Sequence, residues 1–348
     1  MRRGLDLEQR YRRVLRLLPG YYRQAWEEDM VAAFLDGWLT GDPDEDSVTM
    51  EYDRPSRAEI ASVAALAARL YLGGAGAPRR YFAWGQAVRG AVLAVLLLHA
   101  VLGLDGLMVM AGSRQLSGYL PAPFSSIWLW VWHVAYCTWI LIFVALVLGH
   151  YRAARVIAVL AIIPDLAGTL HAQLTGTIQS PYFSWAFCVL LDLAPVLALA
   201  AFHRDAPPVA RRPWLLALPA AFVLVVGPLL AARPAGLSAW LPDFPGLCCL
   251  LATLACLARA PRAWSGRAAS GVWSLTLVLL AAVAGAFRIA SLGDYAYGYV
   301  YAPHLIGVGL AELLILAAAV ALVAPDAARA QTAVPAPSPY PHPGVQPR

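Results

Sequence analysis

The chain has 348 residues, 60% hydrophobic and only 14% charged, with a mean hydropathy of +0.61, which excludes an ordinary soluble domain of this size. The net charge of +5 is uneven: residues 1–80 carry 12 Arg and 13 acids, a net of −1, while the remainder carries +6. That excess sits in short loops between apolar stretches, where it reads as membrane orientation and not as a nucleic-acid-binding surface. All 26 basic residues are arginine, a bias that a GC-rich bacterial genome explains, so the expected location is a bacterial plasma membrane.

Leu7, Tyr11, Val14, Leu15 and Leu18 share one face of a helix that Pro19-Gly20 closes. A second helix is predicted from about Tyr22 to Leu39, with Trp26, Met30, Ala33, Phe34 and Trp38 on one face. Asp42 to Asp53 forms an acidic linker. Pro55-Ser56 opens a third helix, in which Ser56 and Glu59 have capping-box spacing and Ile60, Val63, Leu66, Leu70 and Tyr71 form the apolar stripe. Three short amphipathic helices cannot each bury a stripe alone, so residues 1–80 are predicted to pack as a cytoplasmic three-helix domain, lie on the membrane surface or dock on a partner.

Eight apolar stretches follow within residues 81–324: about 87–110, 127–148, 156–174, 183–202, 213–232, 244–258, 271–288 and 304–324. Each must satisfy its own backbone in hydrocarbon and is therefore predicted as a helix, making the fold class all-α, a polytopic helical membrane protein. With a cytoplasmic N-terminus, the inside loops carry Arg152, Arg155, Arg204, Arg211, Arg212, Arg259, Arg262 and Arg267, against Arg114, Arg233 and Arg288 outside. The sixth stretch is short, but deleting it would move three of these arginines to the wrong side. Residues 325–348, with seven prolines, are predicted to be a disordered cytoplasmic tail. The five cysteines all fall inside predicted spans and form neither a metal-binding loop nor a disulfide framework.

Ionisable groups in hydrocarbon cost roughly 2.5–3.5 kcal/mol each on insertion scales and call for an explanation. Asp165, Asp192 and Glu312 fall near mid-membrane, and Asp105, His133, His171 and Arg288 in the outer portions of their spans. These seven are the candidate ligand- or ion-binding residues, and they describe a polar region from the outer face to the midplane. Pro164 beside Asp165, and Pro195 near Asp192, free the carbonyls of Leu160 and Leu191, as in the broken spans of transporter ion sites. Ordinary proline kinks with hydrogen-bonded acids are the structural alternative. Tyr295, Tyr297, Tyr299 and Tyr301 alternate as in an extended segment and suit either an interfacial anchor or an aromatic lid for a small cationic or sugar-like ligand. No catalytic, cofactor-binding or metal-binding signature occurs, so no catalytic residue, cofactor or metal is assigned.

The run Arg10-Tyr11-Arg12-Arg13-Val14-Leu15-Arg16-Leu17-Leu18-Pro19, with Tyr22-Arg23, Glu27-Glu28-Asp29-Met30 and Phe34-Leu35-Asp36 after it, resembles the short helical domain that precedes the spans of many bacterial membrane proteins of the HAAS and permease-prefix type. It also resembles the opening of uncharacterised actinobacterial integral membrane proteins. The resemblance covers about residues 8–40 and implies a cytoplasmic, helical, protein-interacting module with a partner site within residues 1–40. It supplies no catalytic residues. The expected role is a non-catalytic membrane sensor or accessory subunit working through that module; a small-solute or proton-coupled transporter using the acids of spans three, four and eight is the alternative.

Overall fold

The computed structural model describes residues 7–38, 54–74, 77–113, 127–176, 181–203, 206–232, 243–264, 271–297 and 303–332, and every element among them is helical. Side chains are described over the same residues except 105–106, 108–113, 127–136, 181, 183, 228–232, 262–264, 297 and 303–304. The chain divides into two compact units, Met1–Gly85 and Gln86–Arg348.

In the first unit α1 (Leu7–Leu15), α2 (Gly20–Asp36) and α3 (Arg57–Tyr71) enclose one apolar core. Leu7, Tyr11, Leu15 and Leu18 meet Val31 and Phe34 of α2 and Val63, Ala67 and Leu70 of α3. Tyr11 stacks flat on Phe34 with ring centroids 3.9 Å apart. That stack sets the rotation of α2 and corrects the predicted stripe. Trp26 lies about 80° around the helix from Phe34 and is 52% exposed, and Ala33 is exposed as well. Ile60 and Tyr71, at the two ends of α3, are also exposed. Arg12 clamps α1 to α2, donating to Glu8 at 2.8 Å and to both oxygens of Glu28 at 2.7 and 2.8 Å. The capping box forms as its spacing predicts: Ser56 Oγ accepts from Glu59 N, and Glu59 Oε2 accepts from Ser56 N. The other Glu59 oxygen accepts from Trp38 Nε1 at 3.0 Å, tying the end of α2 to the start of α3. The linker at 42–53 lies outside the described residues.

The helices α4 (Arg79–Ser113), α5 (Ile127–Leu148), α6 (Tyr151–Leu174), α8 (Arg211–Ala232), α9 (Phe244–Trp264), α10 (Val272–Tyr297) and α11 (Pro303–Thr332) follow the predicted spans. Between α6 and α8, Pro181–Ala186 continues through a π-helical stretch at Phe187–Leu193, an α turn at Ala194–Ala198 and a 3-10 turn at Leu199–Ala201, together α7. Among the described residues six helices are long and apolar enough to cross a membrane; the second and fifth predicted spans fall on α5 and α8, outside that set. The short sixth stretch becomes an 18-residue candidate span, Phe244–Pro261.

The membrane part of α4 is the hub. Leu96 and Ala100 pack with Trp139, Ile142 and Phe143 of α5, Ala154 and Ala158 of α6, Leu199 in the last turn of α7 and Phe202 just after it. Other faces of α4 present Ala87 to Leu275 and Ala327, Val95 to Leu191 and Phe287, and Val101 to Val225 and Val226. Helices α9, α10 and α11 form a second bundle through small residues such as Cys249, Ala281, Ala284, Cys256 and Ala319, which let backbones approach closely. Between α5 and α6 the chain reverses in a Schellman turn: Gly149 has φ +91°, and His150 N donates to Ala145 O at 2.8 Å.

Two predicted boundaries differ. The last helix passes through Pro325 to Thr332, where the tail is predicted to start. Asp326 explains the extension, because Ser274 donates to it at 2.5 Å and Arg259 at 3.2 Å, anchoring the turn that follows the proline. The predicted extended segment is helical at its start, since α10 runs to Tyr297. Tyr295 and Tyr297 therefore sit about 200° apart on a helix and do not share a side. Tyr299 and Tyr301, with residues 333–348, lie outside the described residues.

Burial pushes the Glu59 carboxyl upward, but the hydrogen bonds from Trp38 and Ser56 outweigh it and hold the group below its usual range. A depressed carboxyl contributes stability above its unfolded value, about 4.3, and loses it as pH falls. Acidification below about pH 4 should therefore loosen α3. Ser56→Ala should destabilise the helix start by about 1 kcal/mol, seen as faster amide exchange over residues 57–60 of the full-length protein at neutral pH.

Candidate functional site

Buried ionisable side chains converge from different helices at two centres. The first joins α4, α6 and α7. His99 and Asp192 are sealed from solvent, at 0% and 1% exposure. His99 Nε2 lies 2.9 Å from Asp192 Oδ1, and its Nδ1 lies 3.0 Å from the carbonyl oxygen of Val95, one turn earlier in α4. Trp139 of α5 packs against the imidazole with centroids 4.5 Å apart. Asp165 of α6 is 8% exposed and interacts electrostatically with both His99 and Asp192. Neither of its carboxylate oxygens accepts a hydrogen bond, and the Trp139 N–H, although adjacent, does not align with them.

Local backbone chemistry places Asp192. Pro195 has no N–H and its ring would crowd the carbonyl of Leu191, so the preceding turn widens into a π-helix in which Ala194 N donates to Val189 O. The local irregularity predicted from the proline is thus a π turn carrying the acid. Pro164, by contrast, stays inside the continuous helix α6.

The second centre joins α9, α10 and α11. Arg288 is 1% exposed and donates through Nη1 to Asp243 Oδ2 at 2.6 Å. Its Nε lies 2.8 Å from Glu312 Oε2, a charge contact whose N–H is not aligned as a hydrogen bond. Ser291 Oγ is 3.5 Å from Nη1, and Tyr295 donates its hydroxyl to Asp243 Oδ2. Asp243 also caps α9, its Oδ1 accepting from Gly246 N at 3.0 Å. One cation and two carboxylates give the centre a net formal charge of −1.

A wall of three phenylalanines joins the two centres. Phe187 lies 6.1 Å from the His99 ring, and Phe187, Phe244 and Phe287 have mutual centroid distances of 5.6–6.1 Å. Phe244 follows Asp243 in the chain and Phe287 precedes Arg288. The candidates whose side chains are described therefore do not form one polar region. Asp165 and Asp192 belong to the first centre, and Arg288 and Glu312 to the second. His171 is exposed near the end of α6 and joins neither. The side chains of Asp105 and His133 lie outside the described residues.

His99 and Asp243 complete the two centres and were not among the candidates. His99 is a lone polar residue in the most apolar run of the first span. Asp243 was readable as a helix cap, since Asp-Phe-Pro-Gly places an acceptor just before a proline in the first helical turn. Arg89 in α4 was also missed; it is 4% exposed, and its three guanidinium nitrogens have no hydrogen-bond partner. Arg155 is explained structurally, because it donates to the carbonyls of Leu199 and Phe202 where α7 ends. Among the described residues no three His, Cys, Asp or Glu side chains are placed to hold a metal ion.

No protein-family model, curated protein or solved structure matches the chain.

The two acids around Arg288 should differ in weight. Asp243→Ala removes a hydrogen-bonded ion-pair partner and a helix cap, and should destabilise the protein by about 3 kcal/mol, the low end for a buried pair because Asp243 is 32% exposed. Glu312→Gln leaves the Asp243 contact intact and should cost no more than about 1 kcal/mol. Thermal melting in detergent separates them, and Arg288→Met combined with Asp243→Ala should recover part of the loss.

Proposed function

We propose that this is an eight-span bacterial plasma-membrane protein with both ends cytoplasmic, acting as a sensor or accessory subunit through its N-terminal helical module. The observation that carries the reading is the self-contained core of α1, α2 and α3. A segment that closes its own core is equipped to present a fixed surface to a partner. Trp26 on α2 and Leu17 after α1, each about half exposed, supply apolar contact area on residues 1–40, and aromatic anchors of this kind dominate protein interfaces. The resemblance of this region to HAAS and permease-prefix modules points the same way, and the candidate spans support the bilayer as the environment of the rest.

A second reading, a proton-coupled or small-solute transporter, is favoured by the convergence of Asp165 and Asp192 from different helices on one buried histidine. Glu312 is better accounted for by its contact with Arg288. Asp165→Asn deletes the charge and keeps the shape; under this reading the variant assembles normally but loses pH-dependent solute uptake in vesicles.

Two measurements test the first reading. Full-length protein carrying Trp26→Glu should keep its expression and melting temperature while cross-linked capture of a cytoplasmic partner falls at least tenfold; unchanged capture would remove the module as the docking element. Single cysteines introduced at Arg152, Arg211 and Arg262 of a cysteine-free variant should resist an impermeant thiol reagent in whole cells. Labelling at Arg262 with protection at Arg211 would delete the sixth span.

A further inference from the structure

The contact between His99 and Asp192 constrains where a proton must be. The Val95 carbonyl can only accept a hydrogen bond, so the His99 Nδ1 at 3.0 Å from it carries a hydrogen. A neutral imidazole of that tautomer would turn the bare lone pair of Nε2 toward Asp192 Oδ1 at 2.9 Å. An ionised carboxylate has only lone pairs to offer in return. The other neutral tautomer moves the same conflict to Nδ1 and the Val95 carbonyl. Both contacts are satisfied together only if a hydrogen lies between Nε2 and Oδ1, as imidazolium with carboxylate or as imidazole with carboxylic acid. Either form holds one proton more than neutral histidine with ionised aspartate.

We propose that His99 and Asp192 form a one-proton binding site joining α4 to the π turn of α7, with Asp165 as the adjacent acceptor for that proton. The sensor reading does not require such a site; for the transporter reading, which rests on the same three residues, the inference names where the proton sits, and the spectrum below reads that independently of solute uptake. Asp165 is placed for the role, being buried, coupled to both members of the pair and without a hydrogen-bond donor on either oxygen. The transfer is a simple one: the hydrogen leaves the Nε2–Oδ1 axis and bonds to an Asp165 oxygen, which becomes neutral. The pair is left as neutral imidazole and carboxylate, with lone pairs opposed, and the joint between α4 and α7 is released. The surroundings are specified. Asp165 approaches from α6 and Cys188 from α7, with Thr169 of α6 beside the thiol; α5 contributes Trp139, and Phe187 of α7 leads to Phe287 of α10. Asp165 and Cys188 are the titratable neighbours among the described residues.

The test is nitrogen NMR of full-length protein in lipid bilayers with 15N-labelled histidine, the His99 signals being assigned by their loss in His99→Gln. The expected wild-type spectrum shows hydrogen on Nδ1 and a hydrogen-bonded, proton-sharing Nε2, converting to a neutral ring in a single one-proton step as pH is raised. In Asp192→Asn the amide N–H donates to Nε2 without an extra proton, so the contact persists, the melting temperature stays near wild type and the one-proton step seen in the wild type is lost. Asp165→Asn leaves the pair but deletes the second acceptor, so it should keep the low-pH spectrum and move the midpoint of the step. A wild-type Nε2 that neither carries a hydrogen nor accepts one in a hydrogen bond at any pH, or a titration unchanged in Asp192→Asn, overturns the proposal. If Asp192→Asn does not assemble, the wild-type state of Nε2 decides alone.

Discussion

A charge that leaves water for the membrane interior is costly unless another group neutralises it in place, and in this protein that requirement selects which helices lie side by side. Arg288 on α10 meets Asp243 at the start of α9 and Glu312 on α11, so three helices are joined by one guanidinium. Toward the opposite ends of the same helices, Arg259 of α9 and Ser274 of α10 converge on Asp326 of α11. Apolar packing between the two polar ties relies on small residues and would by itself tolerate sliding along the helix axes. The ties fix the register.

Where α4 meets the rest, the logic differs. This helix packs against elements on all its sides, which explains why its span is the most buried of the candidates. A polar residue deep in such a helix, as His99 is, has no route to the lipid headgroups by snorkelling and is satisfied only by a partner within the protein. His99 does so with Asp192 and its own backbone. Close approach elsewhere on α4 depends on Gly90, where a Cβ would come within 3.0 Å of the Thr276 side chain.

The sequence pattern predicted the helical character, most helix positions and the Ser56–Glu59 capping box, because hydrocarbon forces helices and capping chemistry is local. It also marked Asp165, Asp192, Arg288 and Glu312, since a charge in an apolar run stands out without knowledge of the fold. Which charges meet was not readable, because Asp192 and His99 are 93 positions apart and Arg288 and Asp243 are 45 apart. The alternating tyrosines misled for a related reason. Period-two spacing suggests an extended chain, but the Tyr295 contact with Asp243, and Asp294 accepting from Tyr182 N at 3.1 Å, accompany a helix that runs on to Tyr297. In α2 the apolar residues outnumber the positions that one neighbour can cover, so the Tyr11–Phe34 stack decided which of them stay exposed.

The space between the two centres gives each its character. An apolar cavity of about 200 Å³ opens there, lined by Val95, Leu191, Cys248, Ala284 and Phe287 among others. Val95 supplies the carbonyl that orients His99, Leu191 precedes Asp192 and Phe287 precedes Arg288, so the cavity backs onto both sites without offering either a polar wall. Cavities with such linings favour hydrocarbon over water, which keeps the local dielectric low and strengthens the paired interactions on both sides. The same environment makes each pair all-or-nothing: neither centre can exchange a lost partner for solvent from this side. A protonation change at His99 would consequently act first on the contact it makes, the joint between α4 and the π turn of α7.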